Sequence, residues 1–184
     1  MRRDSKAKMV RSAASLIRTR GVNATSFSDV LADSGAPRGS IYHHFPQGKE
    51  QLAEDAIALT SEWVLSHQRA CPARTPAEVV DWFVDMWRRV VVASNGAAGC
   101  VVAGVAVDTD QQADIMALID STFTSWVDLL ADQLTSAGLT GDRARGVATA
   151  TLAAMEGALI LCRAQRSVLP LETVARQLRK LVED

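Results

Sequence analysis

The chain has 184 residues, 48% of them hydrophobic, only five of them prolines, and a formal net charge of -1. That length suits one domain or a small domain joined to a larger one, and the composition excludes a disordered chain and sits badly with a β-sandwich. The near-zero charge hides an asymmetry: the first 50 residues hold nine basic against four acidic side chains, a net +5, leaving -6 for the rest, which points to a nucleic-acid contact at one end only.

The first helix is marked by Val10, Ala13, Ala14 and Ile17, which recur at the three-and-four spacing of one helical face. Gly21 is placed to end it as a left-handed cap. Ahead of it, Arg2, Arg3, Lys6 and Lys8 form either a solvated tail or an arm that adds phosphate or minor-groove contacts. Thr25 or Ser26 offers a hydroxyl to cap a second helix with Val30 and Leu31 facing inward. Ser34-Gly35-Ala36-Pro37 reads as a tight turn, because glycine permits positive φ and proline sets the first position of the next helix. A short third helix spans about Arg38 to His44, and Phe45-Pro46-Gln47-Gly48 breaks it before a long fourth helix from Lys49 to about Gln68.

The remainder also reads as helices. Pro76 opens an apolar segment that Ser94-Asn95-Gly96 closes, and a short apolar piece runs from Cys100 to Val107. Ile115, Ile119, Phe123, Trp126, Leu130 and Leu134 mark an amphipathic helix ending before Gly138. Asp142 is read as the cap of a helix reaching about Gln165, and a last helix after Leu169-Pro170 carries Val174, Leu178, Leu181 and Val182 on one side. The expected fold is all-α, with about nine helices: a three-helix helix-turn-helix domain over residues 1–48 and a helical bundle over 49–184.

Several functions are disfavoured. No run of about 18 uncharged apolar residues suggests a membrane span, and the basic N-terminus lacks the continuous apolar stretch of a signal peptide, so a cytoplasmic protein with no membrane partner is expected. Cys71, Cys100 and Cys162 are far apart and in no metal-binding spacing, and are read as small buried hydrophobes. His43 and His44 diverge by about 100° as adjacent helical residues, so they form no metal pair. No nucleophile triad, phosphate loop or metal motif is visible, and Asp108-Thr109-Asp110 is a lone acidic turn. Neither an enzyme nor a cofactor is expected, an all-α enzyme or small-molecule binding protein being the alternative class.

Two short helices joined by a glycine-containing turn behind a supporting helix describe a device for reading the major groove. Such a reading helix needs small residues where backbone approaches DNA, here Gly39 and Ser40, and hydrogen-bonding side chains on its exposed face, here Arg38, Tyr42, His43 and His44. The run through Arg20-Gly21, Ala24-Thr25, Asp29-Val30, Ser34-Gly35, Arg38-Gly39-Ser40-Ile41-Tyr42, His44-Phe45 and Lys49-Glu50 resembles the TetR family of bacterial regulators. The longer stretches FPQGKEQLAEDAI and EGALILCRAQRSVLPLETVARQLRKL resemble its LmrA/YxaF-type branch. One departure bears on the placing of Lys49: three residues separate it from Phe45, where the family most often has two.

That resemblance implies phosphate contacts from Thr25, Ser28, Tyr42 and Lys49, base-edge contacts from Arg38, Ser40 and His43, and Pro37 and Gly39 at the start of the reading helix. It also implies a homodimer on double-stranded operator DNA, joined through the last two helices. The function implied is a repressor released by a small lipophilic or aromatic effector, with an activator of the same fold as the alternative. Trp63, Trp82, Trp87 and Trp126, with Phe83, Phe123, Met86, Met116 and Met155, lie on helices that in the family surround the ligand cavity. Either a subset lines a pocket, joined by polar groups from Gln68, Asp120, Thr122 or Glu156, or all of them fill an ordinary core. The small residues Ala148, Ala150, Ala153, Ala154, Gly157 and Ala158 suit close helix approach at a dimer interface, where Glu156 and Arg163 either take part or are solvated.

Overall fold

The computed structural model describes residues 2–108 and 113–183, which form nine helices and, among these residues, no strand. The all-α expectation is met. Thr109 and Asp110 of the acidic turn lie outside the described residues. The helices are α1 (Arg2–Arg20), α2 (Phe27–Ser34), α3 (Ser40–His44), α4 (Lys49–Arg69), α5 (Pro76–Ala93), α6 (Val101–Asp108), α7 (Ala113–Ser136), α8 (Gly141–Gln165) and α9 (Leu169–Glu183). They divide into two compact units, residues 1–62 with 100–122, and residues 63–99 with 123–184.

In the first unit α1 buries Met9, Ala13 and Ile17 against α2 and α3, where Val30, Ile41 and Phe45 are sealed from solvent. α1 stops because Gly21 enters the left-handed region at φ 85, its N–H donating to Ile17 O at 2.9 Å. Of the two hydroxyls available to cap α2, Ser26 is used. Its Oγ accepts from Asp29 N at 3.2 Å while Asp29 Oδ2 accepts from Ser26 N at 3.0 Å, a reciprocal capping box. α1 begins at Arg2, so the N-terminal basic residues lie on a helix; the Lys6 ammonium lies 2.8 Å from Asp55 Oδ2 on α4 and 5.7 Å from the Phe45 ring centre. α6 lies on α1 through Val101, Val102 and Val105, with Gly104 letting the two backbones approach.

The second unit is built on α8, with α9 packed on it and on α5. Thr75 and Glu78 form a second capping box at α5, whose Pro76 fills the first helical position. At α8 the N-cap is Thr140, not Asp142; Asp142 sits in the first turn, where a carboxylate meets the positive end of the helix dipole. α8 is long and apolar enough, by length and composition, to cross a membrane. Within the unit its Val147, Ala148, Leu152, Met155, Leu159 and Cys162 are buried. The three cysteines are free; Cys100 and Cys162 are buried and Cys71 half-buried, and burial pushes the Cys71 and Cys162 thiols above their ordinary pKa.

Candidate nucleic-acid interface and aromatic core

The turn leading into α3 is held by proline rather than by a side-chain cap. Pro37 O accepts from Ser40 N at 2.9 Å and from the Ser40 hydroxyl at 2.6 Å. This keeps α3 shorter than expected, beginning at Ser40, and leaves Pro37, Arg38 and Gly39 exposed on the turn before it. A Cβ added at Gly39 would meet no other atom within 4 Å, so the turn is open to its surroundings there. Ile41 is fully buried, which turns Tyr42 and His43 outward.

Tyr42 is 72% exposed, an unusual place for the chain's one tyrosine. Its ring is fixed edge-on to Phe27, 5.8 Å between centres at 81°, and among the described residues no protein group hydrogen-bonds its hydroxyl. Ser28 is exposed at the start of α2, sharing a 2.7 Å hydrogen bond with Ser26. Thr25 is different: it is buried, its hydroxyl donating to Gly21 O at 2.7 Å. Lys49 is the exposed first residue of α4, with Nζ donating to Asn23 O at 3.4 Å. The extra residue before it is absorbed by a turn in which Gly48 takes φ 83 and donates to Phe45 O at 3.0 Å. Pro37, Arg38, Gly39, Ser40, Tyr42 and His43 thus share one short segment, with Ser28 and Lys49 at neighbouring helix starts.

Asp29 sets the electrostatics behind these residues. The Ser26 hydroxyl, the Ser26 backbone N–H and the nearby Arg20 and Lys49 charges hold its carboxyl below the usual range, with Arg20 Nη1 3.6 Å from its Oδ1. His43 and His44 rings meet edge-on at 5.2 Å, and among the described residues no cluster of metal-ligating side chains occurs.

The aromatic set is not one layer. Trp87, Trp126, Phe83, Met86 and Met155 are fully buried, with Trp87 and Trp126 rings 6.4 Å apart and Phe123 edge-on to Trp126 at 5.6 Å. Trp63 is 42% exposed and meets Trp87 edge-on at 6.2 Å. Trp82 stacks on His67 at 4.6 Å and donates from Nε1 to His67 O at 3.0 Å; desolvation and the adjacent Arg89 lower the His67 pKa. Met116 is exposed and belongs to the first unit.

Of the polar candidates, Gln68 is buried and paired with Gln133 through 2.6 Å bonds, Thr122 donates to Leu118 O, and Asp120 is exposed. Glu156 lines a groove of about 400 Å³ with Phe123, Val127, Arg145, Thr149 and Leu152. Buried inside the ring cluster, the Trp87 indole N–H has no hydrogen-bond partner among the described residues.

Asn23 escaped the sequence reading, and Asp108 entered it only as part of a lone acidic turn. Asn23 Nδ2 donates to Asp108 O at 2.9 Å, joining the end of α6 to the turn after α1. They are 85 positions apart, and no local pattern carries such a pairing.

Residues 10–56 match the family model described as bacterial regulatory proteins, tetR family, and residues 76–177 match the transcriptional regulator LmrA/YxaF-like C-terminal domain. The chain is 39% identical over 181 residues to an uncharacterised HTH-type transcriptional regulator of Mycobacterium tuberculosis, covering 95% of this chain and 92% of that one. It is 29% identical to the HTH-type transcriptional regulator YxaF of Bacillus subtilis, covering 98% and 96%. A TetR transcriptional regulator from Legionella pneumophila superposes with a TM-score of 0.85 over 95% of each chain at 23% identity, which speaks to the fold.

Proposed function

This chain belongs to the TetR family of bacterial regulatory proteins and carries an LmrA/YxaF-like C-terminal domain, and we propose that within that family it is a homodimeric repressor whose operator binding is released by a lipophilic aromatic effector. Its relatives are DNA-binding transcriptional regulators. The observation that carries the DNA-reading assignment is the segment Pro37 to His43, anchored by buried Ile41, with exposed Arg38 and a 72% exposed Tyr42 on either side of small Gly39 and Ser40. Arg38, Ser40 and His43 take base edges. Tyr42, Lys49 and Ser28 take phosphates, and the buried Thr25 acts by tying the turn to Gly21.

Residues 1–48 form the DNA-binding domain in this reading, and 49–184 the effector and dimerisation domain of a cytoplasmic protein. TetR-family regulators bind operator DNA and typically form homodimers. Here the surface favoured for self-association is the outer face of α8 and α9, where Ile160, Leu161, Leu169 and Leu181 leave large apolar side chains in solvent. Small residues at Ala153 and Gly157 permit close approach. The effector enters among Trp63, Trp82, Phe83, Trp87, Phe123 and Trp126, with Met86 and Met155 adapting to its shape. The partnerless Trp87 N–H favours a molecule that carries an acceptor as well as an apolar ring, since an unmet buried donor costs about 1–3 kcal/mol. Such a ligand releases DNA only by preferring the form with the wrong half-site spacing.

A fragment from upstream of the chain's own gene tests the reading: a sequence-specific complex that weakens steeply with salt is expected, and its absence sinks the proposal. Quenching of tryptophan fluorescence across a panel of lipophilic compounds tests the sensor half.

A further inference from the structure

We propose that Asp108 and Asn23 form a clasp that positions Lys49 for its DNA phosphate, so that the end of α6 is part of the DNA-binding machinery; this rests on the reading of Lys49 as a phosphate contact. Asn23 places three of its polar groups on two partners. Its side-chain amide donates to Asp108 O at 2.9 Å, its backbone N–H approaches Asp108 Oδ2 at 3.5 Å, and its carbonyl accepts from Lys49 Nζ at 3.4 Å. An ammonium has three protons to donate, so the bond to Asn23 leaves two for a phosphate while fixing where they point.

The place of Asp108 argues for this role over a packing role. α6 already packs on α1, with Gly104 approaching Ile17, and buries Val101, Val102 and Val105. A carboxylate at the last residue of α6 faces the negative end of its own helix dipole, and it lies against Gly21, which closes the negative end of α1. The chain accommodates it there with Gly21, where a Cβ would stand 2.3 Å from Asp108 Oδ2. An aspartate placed against its helix dipole, over a left-handed glycine, and bonded to the residue that holds Lys49 is explained by the position it gives that lysine.

The test uses the full-length protein and a duplex that the wild-type chain selects from a randomised library. Asn23→Ala, which removes the 2.9 Å bond to Asp108 O, is expected to weaken binding about threefold to tenfold, the loss of one ordinary hydrogen bond; Asp108→Ala keeps that backbone acceptor and loses only the 3.5 Å contact of Oδ2 with the Asn23 N–H, so a smaller loss of at most about threefold is expected. Asp108→Asn keeps a side-chain oxygen that can accept from the Asn23 N–H and is expected to recover part of what Asp108→Ala loses. The discriminating measurement is a double-mutant cycle with Lys49→Ala across a salt series. Asn23→Ala combined with Lys49→Ala binds no more weakly than Lys49→Ala alone, and both single variants lower the salt slope by up to about one. Wild-type affinity and slope in Asn23→Ala, or losses that multiply with that of Lys49→Ala, overturn the clasp while leaving DNA binding intact. If Asp108→Ala unfolds, the cycle is read on Asn23→Ala, an exposed turn residue. A wild-type chain that selects no duplex refutes the DNA-binding reading itself, and the clasp falls with it.

Discussion

Replacing Tyr42 with phenylalanine removes one oxygen atom and nothing else that the fold uses. The hydroxyl sits on a side chain that is 72% exposed, with no protein hydrogen-bond partner among the described residues. Stability should therefore change by no more than about 0.5 kcal/mol. The edge-on contact of the ring with Phe27 remains, so α3 keeps its place. What is lost is a hydrogen bond to a charged phosphate oxygen, about 1.5–3 kcal/mol for each protomer, or about tenfold to 150-fold per half-site. Because the hydroxyl carries no charge, its loss releases no fewer counterions, and the slope of log affinity against log salt stays as in the wild type. Fluorescence anisotropy with a labelled operator duplex over a salt series measures both quantities, and urea unfolding measures the third. Wild-type affinity in Tyr42→Phe would refute the phosphate assignment. A loss confined to one base sequence would refute it differently, by making Tyr42 a reader of base edges.

Asp29→Asn tests the capping box through pH. The Ser26 hydroxyl, then the Ser26 backbone N–H, depress the Asp29 pKa in the folded chain, so its stabilising contribution is present above the unfolded value of about 3.9 and is lost as pH falls through the lower folded one. The melting temperatures of wild type and variant should differ at pH 7 and converge below about pH 4; a gap that persists in acid contradicts the linkage. Gly96→Ala should destabilise the second unit by more than about 1 kcal/mol, since Gly96 has φ 74 and a Cβ there would lie 3.0 Å from Cys162 O and 3.1 Å from Arg166 Cα, both backbone atoms. Gly138→Ala, with φ 113 and open space around it, isolates the backbone contribution, and equal urea-unfolding losses for the two would show that the close packing costs nothing. Ile160→Asp places a charge on the 69% exposed apolar position of α8 and should weaken self-association at least 100-fold, about 3 kcal/mol, in sedimentation experiments. An unchanged dimer would move the interface elsewhere.

The extent and order of the helices were written in local signals. Apolar spacing in α1 and α7, glycine at the end of α1, and proline before α3 and at the start of α5 act within one or two turns of chain, and the helices follow them. The capping residues were harder: Thr25 and Ser26 offer the same hydroxyl one position apart, and only the reach back from Asp29 selects Ser26. At α8 the sequence pointed to Asp142, whereas the N-cap is Thr140, set by its extended backbone and without a side-chain capping bond. The segment Pro37 to His43 was legible as a candidate site because its members are neighbours in sequence, and the net charge of -1 resolved into a +5 end that located it.

Tertiary structure decided what lies across the chain. It buried Trp87 and Trp126 and left Trp63 and Met116 partly in solvent, although all four were read from the sequence as one set. It paired Lys6 with Asp55, turning an apparent basic tail into part of a helix contact, and it brought residues 100–122 into the unit of the first 62. It set Asp108 beside Asn23. A helical period records which face of an element is apolar, but not which partner that face or its polar ends will meet; those pairings arise only when distant segments exclude water together.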